Sequence, residues 1–430
     1  MQTHDLIGIG FGPSNIALAI ALDEKRHTGQ PVDALFIEKQ AGFTWHPDMV
    51  LDHAHMQISF LKDLATLRNP TSRFTFVNYL HEKQRLPDFI NLKTFYPSRQ
   101  EFSDYLGWAA AQFADRCAYA EEVFEILPER QGDEVSLLRV RSRCADGSVR
   151  ERLARNLVVS MGGTTNIPEA FRPFKDEPRV FHSHNYLSRI DQLGPLKKVA
   201  VVGGGQSAAE IFMELHGRDA STQVDLIMRA RAIRPSDDSP FVNEIFNADF
   251  TDYVYDRSED ERTHLFKEFW HTNYSAPDLE LVQQIFKVMY EQKVAGKQRH
   301  RLLRRHQVQE VRAGADGLHL RLLDTDGQLE HANRYDAVIL ATGYVRHQHK
   351  AVLAPLAPYL GDFTVDRNYR VRSTPGFRPQ VFLQGACEAT HGFSDTLLSV
   401  TAVRTEEIRC ALEEGRAQAP ARSRAAALQA

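Results

Sequence analysis

The sequence predicts an α/β fold, two Rossmann-like units with a small, mainly helical segment, and three observations predict it. A strand, a glycine turn, a helix and a second strand follow one another from Leu6; the same order recurs from Val199; charged stretches with helical periodicity occupy 260–294. The first unit reads as a strand at 6–9, a turn through Gly8, Gly10, Gly12 and Pro13, a helix at 14–22 and a strand at 34–37 ended by Glu38. Its strands are short continuous apolar runs, the pattern of a parallel sheet covered on both faces. Residues 135–153 alternate apolar and polar around Asp146-Gly147, which predicts an antiparallel hairpin. Residues 156–163 return a strand to the first sheet, and Asn166-Ile-Pro168 opens a linker.

The second unit reads as a strand at 199–202, a turn through Gly203-Gly-Gly205-Gln206-Ser207-Ala208, a helix to 215, and a strand at 224–228 ended by Arg229 with Arg231 close by. The stretches 260–271 and 277–294 predict inserted helices. A second hairpin is expected at 318–323 with Asp326-Gly327, then apolar strands at 335–344 and 380–385. The expected domains are therefore 1–165 with 335–414, 190–238 with 296–334, and a helical segment 239–295. The Ala- and Arg-rich tail, 415–430, is expected to be disordered.

A chain of 430 residues has length for several domains, and 43% hydrophobic with 25% charged residues excludes a disordered or fibrous protein. No apolar run approaches the roughly 20 residues that span a bilayer. With 52 basic against 56 acidic residues there is no excess charge for nucleic acid. Neither a membrane nor a nucleic-acid partner is expected. Cys117, Cys144, Cys387 and Cys410 lie far apart, with no C-x-x-C pair and no zinc spacing, as in a reducing compartment. The N-terminus lacks a basic stretch before an apolar core, so a cytoplasmic location is expected.

In each unit the glycines let the backbone approach a pyrophosphate, and the helix start offers unpaired N–H groups and a positive dipole. Glu38 is placed to accept hydrogen bonds from ribose hydroxyls, whereas a guanidinium at Arg229 suits a 2′-phosphate. One acid-ended and one arginine-ended site point to FAD and NADPH in one chain, hence to a flavin-dependent oxidoreductase. A flavin disulfide reductase needs a redox cysteine pair, which the chain lacks. A metal-dependent oxygenase needs a His/carboxylate ligand set; His46, His53 and His55 read as loop histidines, and no metal is expected. A flavin monooxygenase needs side chains only to position oxygen and substrate, because the flavin carries the chemistry. An uncoupled NADPH oxidase and a non-catalytic flavoprotein are the alternatives from other classes.

Seven segments, in order, carry a resemblance: Gly8-Ile-Gly-Phe-Gly-Pro-Ser-Asn15, Met56-Gln-Ile-Ser-Phe-Leu-Lys-Asp63, Gly203-Gly-Gly-Gln-Ser-Ala-Ala-Glu210, Asp238-Ser-Pro-Phe-Val-Asn-Glu244, Thr272-Asn-Tyr-Ser275, Leu340-Ala-Thr-Gly-Tyr344 and His391-Gly-Phe-Ser-Asp-Thr-Leu-Leu-Ser399. From about Asp5 to Glu413 the chain resembles the microbial N-hydroxylating flavin monooxygenases, most closely the L-ornithine N5-monooxygenases of siderophore biosynthesis. The resemblance implies that Gln57 sits beside the isoalloxazine, that Arg99 lies near flavin and nicotinamide, and that Lys62 meets the substrate carboxylate. It implies that Asn243, Asn273 and Ser399 bind substrate, with Gln57, Arg99 and Asn273 at the reacting centre. Gly8, Gly10, Gly12, Pro13, Glu38, Trp45, His46, Thr342, Gly343, Ser394 and Leu397 are implied on the cofactor side. So are Gly203, Gly205, Gln206, Ser207 and Arg229, of which Ser207 and Arg229 contact NADPH. Residues 392–399 are expected to close over flavin and substrate.

The implied reaction is NADPH-driven reduction of FAD, formation of a C4a-hydroperoxyflavin with O2, and attack by the neutral amine of L-ornithine to give N5-hydroxyornithine. A homotetramer is implied as well. Hydroxylation of L-lysine or of a diamine such as putrescine is the alternative, since one methylene is worth only about 1–3 kcal/mol in an apolar pocket.

Overall fold

Leu6–Ile9, buried along its whole length, sits at the centre of a five-stranded parallel sheet in the computed structural model, which describes residues 2–25 and 31–418. The order is Gln380–Leu383, Asn156–Val159, Leu6–Ile9, Ala34–Ile37 and Cys117–Ala118. The helix Pro13–Glu24 leaves the central strand and is buried from Asn15 to Leu22, because it lies between the sheet and the C-terminal helix Thr401–Gln418. Ile408, Ala411 and Leu412 of that last helix complete the same core.

The second sheet is also five-stranded and parallel: Val180–His182, Ala337–Leu340, Lys198–Val202, Gln223–Met228 and Arg301–Arg304. Its membership corrects the expected boundaries. Ala337–Leu340, assigned from sequence to the first unit, lies between two strands of the second. Val180–His182 extends the same sheet upstream of 190. The helix Leu279–Val294, expected in the helical segment, is the crossover between Gln223–Met228 and Arg301–Arg304 and buries Ile285 and Val288 in the second core. Met49, Leu51 and Ala54, from the first unit, also pack into that core.

Two chain crossings join the sheets, where Thr164–Thr165 pairs antiparallel with Tyr344–Val345. Both hairpins read from alternation form and gain strands: Glu121–Gln131 beside Glu134–Cys144 and Val149–Ala154, with Thr3–His4 as a fourth, and His306–Gly314 beside Gly317–Asp324 and Leu329–Tyr335 as three. The inserted helices are Ala248–Tyr255, Glu259–Glu268 and Trp270–Asn273, the second started by a capping box between Ser258 and Glu261. The C-terminal helix continues through residue 418, so 415–418 are helical rather than disordered; the rest of the expected tail lies outside the described residues. Among the described residues no helix is long and apolar enough to cross a membrane.

Candidate active site

The first glycine turn is shaped by contacts that forbid side chains and by one position that is empty. Gly10 has φ +81°, and a Cβ there would lie 2.5 Å from the Ser160 carbonyl oxygen. Gly12 caps the helix Pro13–Glu24 without any side-chain hydrogen bond, and a Cβ on it would meet no atom within 4 Å. The helix start is thus open to an anionic ligand. Glu38 follows strand Ala34–Ile37 and accepts from the Phe11 N–H at 2.7 Å and the Gln40 N–H at 2.9 Å, which fixes its carboxylate at the rim. Pro13 occupies the first helical turn, and Gly8 packs against Phe36.

Buried polar groups hold this turn. Asn15 donates to the Gly10 carbonyl at 2.7 Å and accepts from Ser160 Oγ at 3.2 Å and from Gln384 Nε2 at 3.1 Å. Arg404, 1% exposed, donates to Ser14 Oγ at 2.8 Å and pairs with the buried Asp395 at 3.0 Å. That pair fastens the 392–399 segment beside the helix start. Ser394 is buried and Leu397 donates its N–H to the Ser394 carbonyl, while Ser399 Oγ is buried with no hydrogen-bond partner among the described residues. An orphaned buried hydroxyl fits a polar group of a ligand.

The second turn has the same form. Gly203 has φ +150° and packs on the Ala341 carbonyl; Gly205 caps the helix Gln206–Arg218, again with no side-chain cap. Ser207 lies in its first turn and makes no side-chain hydrogen bond among the described residues. Arg229, just past the strand Gln223–Met228, is exposed and unpaired among the described residues. Arg231 differs, being paired with Asp326 at 2.8 Å.

Between the two turns a polar network joins four segments. Arg99 opens the helix Arg99–Ala111 and grips Glu210 with both terminal nitrogens, Nη1 at 2.9 Å and Nη2 at 2.7 Å, while Nη1 also reaches the Met49 carbonyl. Glu210 Oε1 accepts from Gln206 Nε2, which also donates to Asp278 Oδ2, both at 2.9 Å. Gln57 Nε2 donates to Asp278 Oδ1 at 3.0 Å. Gln57, Arg99 and Gln206 are therefore brought together. His46, at φ +47° and solvent-exposed, lies near Trp45, His184 and Tyr344; the surrounding protein, then the charges of His184, Arg99 and Arg346, lowers its pKa. Trp45 packs on Phe102.

A family model described as L-lysine 6-monooxygenase/L-ornithine 5-monooxygenase matches residues 2–346. The chain belongs to this family. The L-ornithine N(5)-monooxygenase of Pseudomonas aeruginosa is 49% identical over 409 residues, covering 94% of this chain and 92% of that protein. The structure of ornithine hydroxylase from Pseudomonas aeruginosa superposes with a TM-score of 0.93 at 48% identity, covering 96% of this chain and 99% of that one. The Kutzneria sp. 744 ornithine N-hydroxylase, solved with reduced FAD, NADP+ and L-ornithine, has a TM-score of 0.92 at 36% identity, covering 96% and 100%.

The remaining residues singled out for the monooxygenase family differ in what they touch. Lys62 is half-buried, its ammonium has no hydrogen bond or ion pair among the described residues, and burial lowers its pKa. Asn273 ends the turn Trp270–Asn273 with its amide unbonded among the described residues, whereas Asn243 Nδ2 donates to the Asp238 carbonyl at 2.8 Å. Thr342 and Gly343 bond to the linker residue Asn166, and Gly343 also to His182. Tyr274, Phe266 and Tyr255 fasten the helical segment to residues 388–393 through Glu388, Phe393 and His391. Burial raises the Glu388 pKa.

Asn15, Glu210, Asp278, Glu388 and Arg404 were not singled out from sequence. Asn15 and Glu210 stand inside the quoted motifs, so a signal existed; the other three carry none.

Proposed function

We propose that the chain hydroxylates the side-chain amine of L-ornithine at N5, using FAD, NADPH and O2, in the cytoplasm and for siderophore assembly. The observation that carries this reading is the set of groups the fold leaves unsatisfied: the Lys62 ammonium, the Asn273 amide, the buried Ser399 hydroxyl and the open helix start at Gly12. The names of the relatives, and the L-ornithine that accompanies the Kutzneria enzyme, support the substrate.

The first sheet, with Gly8, Gly10, Gly12 and Pro13, holds FAD: its helix start takes the pyrophosphate, Glu38 accepts from the ribose, and Trp45, His46, Thr342, Gly343, Ser394 and Leu397 border it. When bound, FAD supplies acceptance of hydride from NADPH and activation of O2. The second sheet holds NADPH through Gly203, Gly205, Gln206 and Ser207, and Arg229 meets the 2′-phosphate as a fork. Gln57 and Arg99, fixed by Asp278 and Glu210, hold the reacting ring edge. Lys62 pairs with the substrate carboxylate, and Asn243 and Asn273 meet its amines as neutral groups. A carboxylate in their place would favour the protonated, non-nucleophilic amine. The 392–399 segment, held by Arg404 and Asp395, keeps water from the centre.

The domains in this reading are an FAD domain ending near 165 and resuming after 340, and an NADPH domain that includes 279–294 and 337–340. A homotetramer is part of it, and the exposed apolar stripe Leu279, Phe286, Tyr290 and Val294 on one helix face is a surface for self-association. The test is a product assay with ornithine, lysine and putrescine in parallel. Hydroxylated ornithine in proportion to NADPH consumed is expected. Equal turnover of lysine or putrescine, or peroxide accounting for all the NADPH, overturns the reading.

A further inference from the structure

The three-stranded sheet that the chain forms between the strands Arg301–Arg304 and Ala337–Leu340 of the second unit brings together a second kind of chemistry. His306 on the first strand faces Asp324 on the second in the antiparallel register, and His331 on the third faces Leu322, two residues before Asp324. Side chains two apart share a face of a strand, so all three project to one side. Each offers one ligand atom, and these atoms lie within 4.8 Å of one another. The two imidazoles stack with centroids 5.8 Å apart and an interplanar angle of 24°.

We propose that His306, Asp324 and His331 form a binding site for a divalent transition-metal ion, Zn2+ by the chemistry of the donors. Two imidazoles and one carboxylate are an N/O set suited to Zn2+, with water in the fourth position, whereas Ca2+ and Mg2+ prefer oxygen donors alone. The supporting bonds are those such a site needs. His306 Nδ1 bonds to the Arg304 carbonyl at 2.7 Å, which makes Nδ1 the donor and leaves Nε2 with its lone pair free. Asp324 Oδ1 accepts from the Asp326 N–H at 2.9 Å and the Gly327 N–H at 3.4 Å, which orients the carboxylate and favours its ionised form. Arg305 and Arg231 are both engaged by Asp326, at 3.0 and 2.8 Å, and neither pairs with Asp324 among the described residues.

His306 and Asp324 are half-buried and His331 is exposed, so the ion has an entry path. Nothing in the spacing 306, 324, 331 marks the set in the sequence; three strands create it. The ion would tie all three strands together at the end of the sheet, outside the groups assigned to the reaction.

The holoenzyme, treated with EDTA and desalted, is titrated with ZnCl2 by calorimetry, and crystals grown with Zn2+ are measured at the zinc absorption edge. One Zn2+ per chain is expected, with affinity lowered at least tenfold in H306A and in H331A while the bound FAD spectrum is unchanged. An anomalous peak between the three side chains is expected in the unsubstituted protein, which needs no variant to fold. No stoichiometric binding, undiminished binding in H306A/H331A, or a peak elsewhere overturns the proposal.

Discussion

At the scale of single residues, the informative groups are charges whose partners are missing or unusually well held. Lys62 is a half-buried ammonium whose depressed pKa has burial as its cause, with no ion pair among the described residues to counter it. A charge-assisted hydrogen bond contributes about 1.5–3 kcal/mol, so K62A is expected to raise KM for ornithine roughly tenfold to a hundredfold with little change in kcat. Steady-state kinetics over an ornithine series check this. The sign of the pH effect follows. Lys62 is charged below its lowered pKa and neutral above it, so KM climbs as pH rises, beginning at a lower pH than an ordinary lysine would set. K62A, lacking the group, loses that climb. Glu210 is the opposite case, a 7% exposed carboxylate gripped by Arg99. E210A leaves the partly buried Arg99 charge without its counter-ion, with only the Met49 carbonyl to accept from it among the described residues, and is expected to destabilise the protein by about 3 kcal/mol. R99A/E210A should cost less than the sum of the two single variants, and denaturant midpoints measure both.

At the scale of elements, the two glycine turns separate folding from binding. Gly10 is confined by the Ser160 carbonyl and a positive φ, whereas Gly12 has φ −83° and open space where a Cβ would stand. G10A is therefore expected to lose fold and flavin together. G12A should fold with a stability change under about 1 kcal/mol yet retain little FAD, because its methyl occupies the space above the helix start. Thermal melts beside the visible flavin spectrum distinguish the two. These turns were legible because glycine, strand and helix signals fall in one short stretch. The allocation of Ala337–Leu340 was not: a buried parallel strand is the same apolar run in either sheet, and only its neighbours decide. The helix Leu279–Val294 was legible as a helix, but its periodicity does not say which core receives Ile285 and Val288. Gln57 stands in a quoted motif and Arg99 was implied by the resemblance, yet their holders Glu210 and Asp278 stand at 210 and 278, brought near by folding alone.

At the scale of the whole molecule, the two sheets are locked together by more than their two crossings. Met49, Leu51 and Ala54 of the first unit are buried in the second core, and Arg99 reaches from that unit to Glu210. Rigid attachment matters for a reaction in which one cofactor must reduce the other and the product must form before reducing power leaks to peroxide. Asp278 is the junction: its two carboxylate oxygens accept from Gln57 Nε2 at 3.0 Å and from Gln206 Nε2 at 2.9 Å, and its own N–H donates to Gln206 Oε1 at 2.9 Å. D278N retains size and the backbone bond but replaces one accepting oxygen by a donating NH2 that faces a donor. Gln57 and Gln206 are then no longer held by one acceptor. Because this junction is partly exposed, the expected stability change is within about 1 kcal/mol, while the fraction of NADPH that yields hydroxylated ornithine falls and peroxide rises in compensation. Parallel assays of NADPH, hydroxylamine and peroxide give that ratio. An unchanged ratio in a folded, flavin-replete D278N would remove Asp278 from the positioning of Gln57 and return the coupling of the two units to the packed core alone.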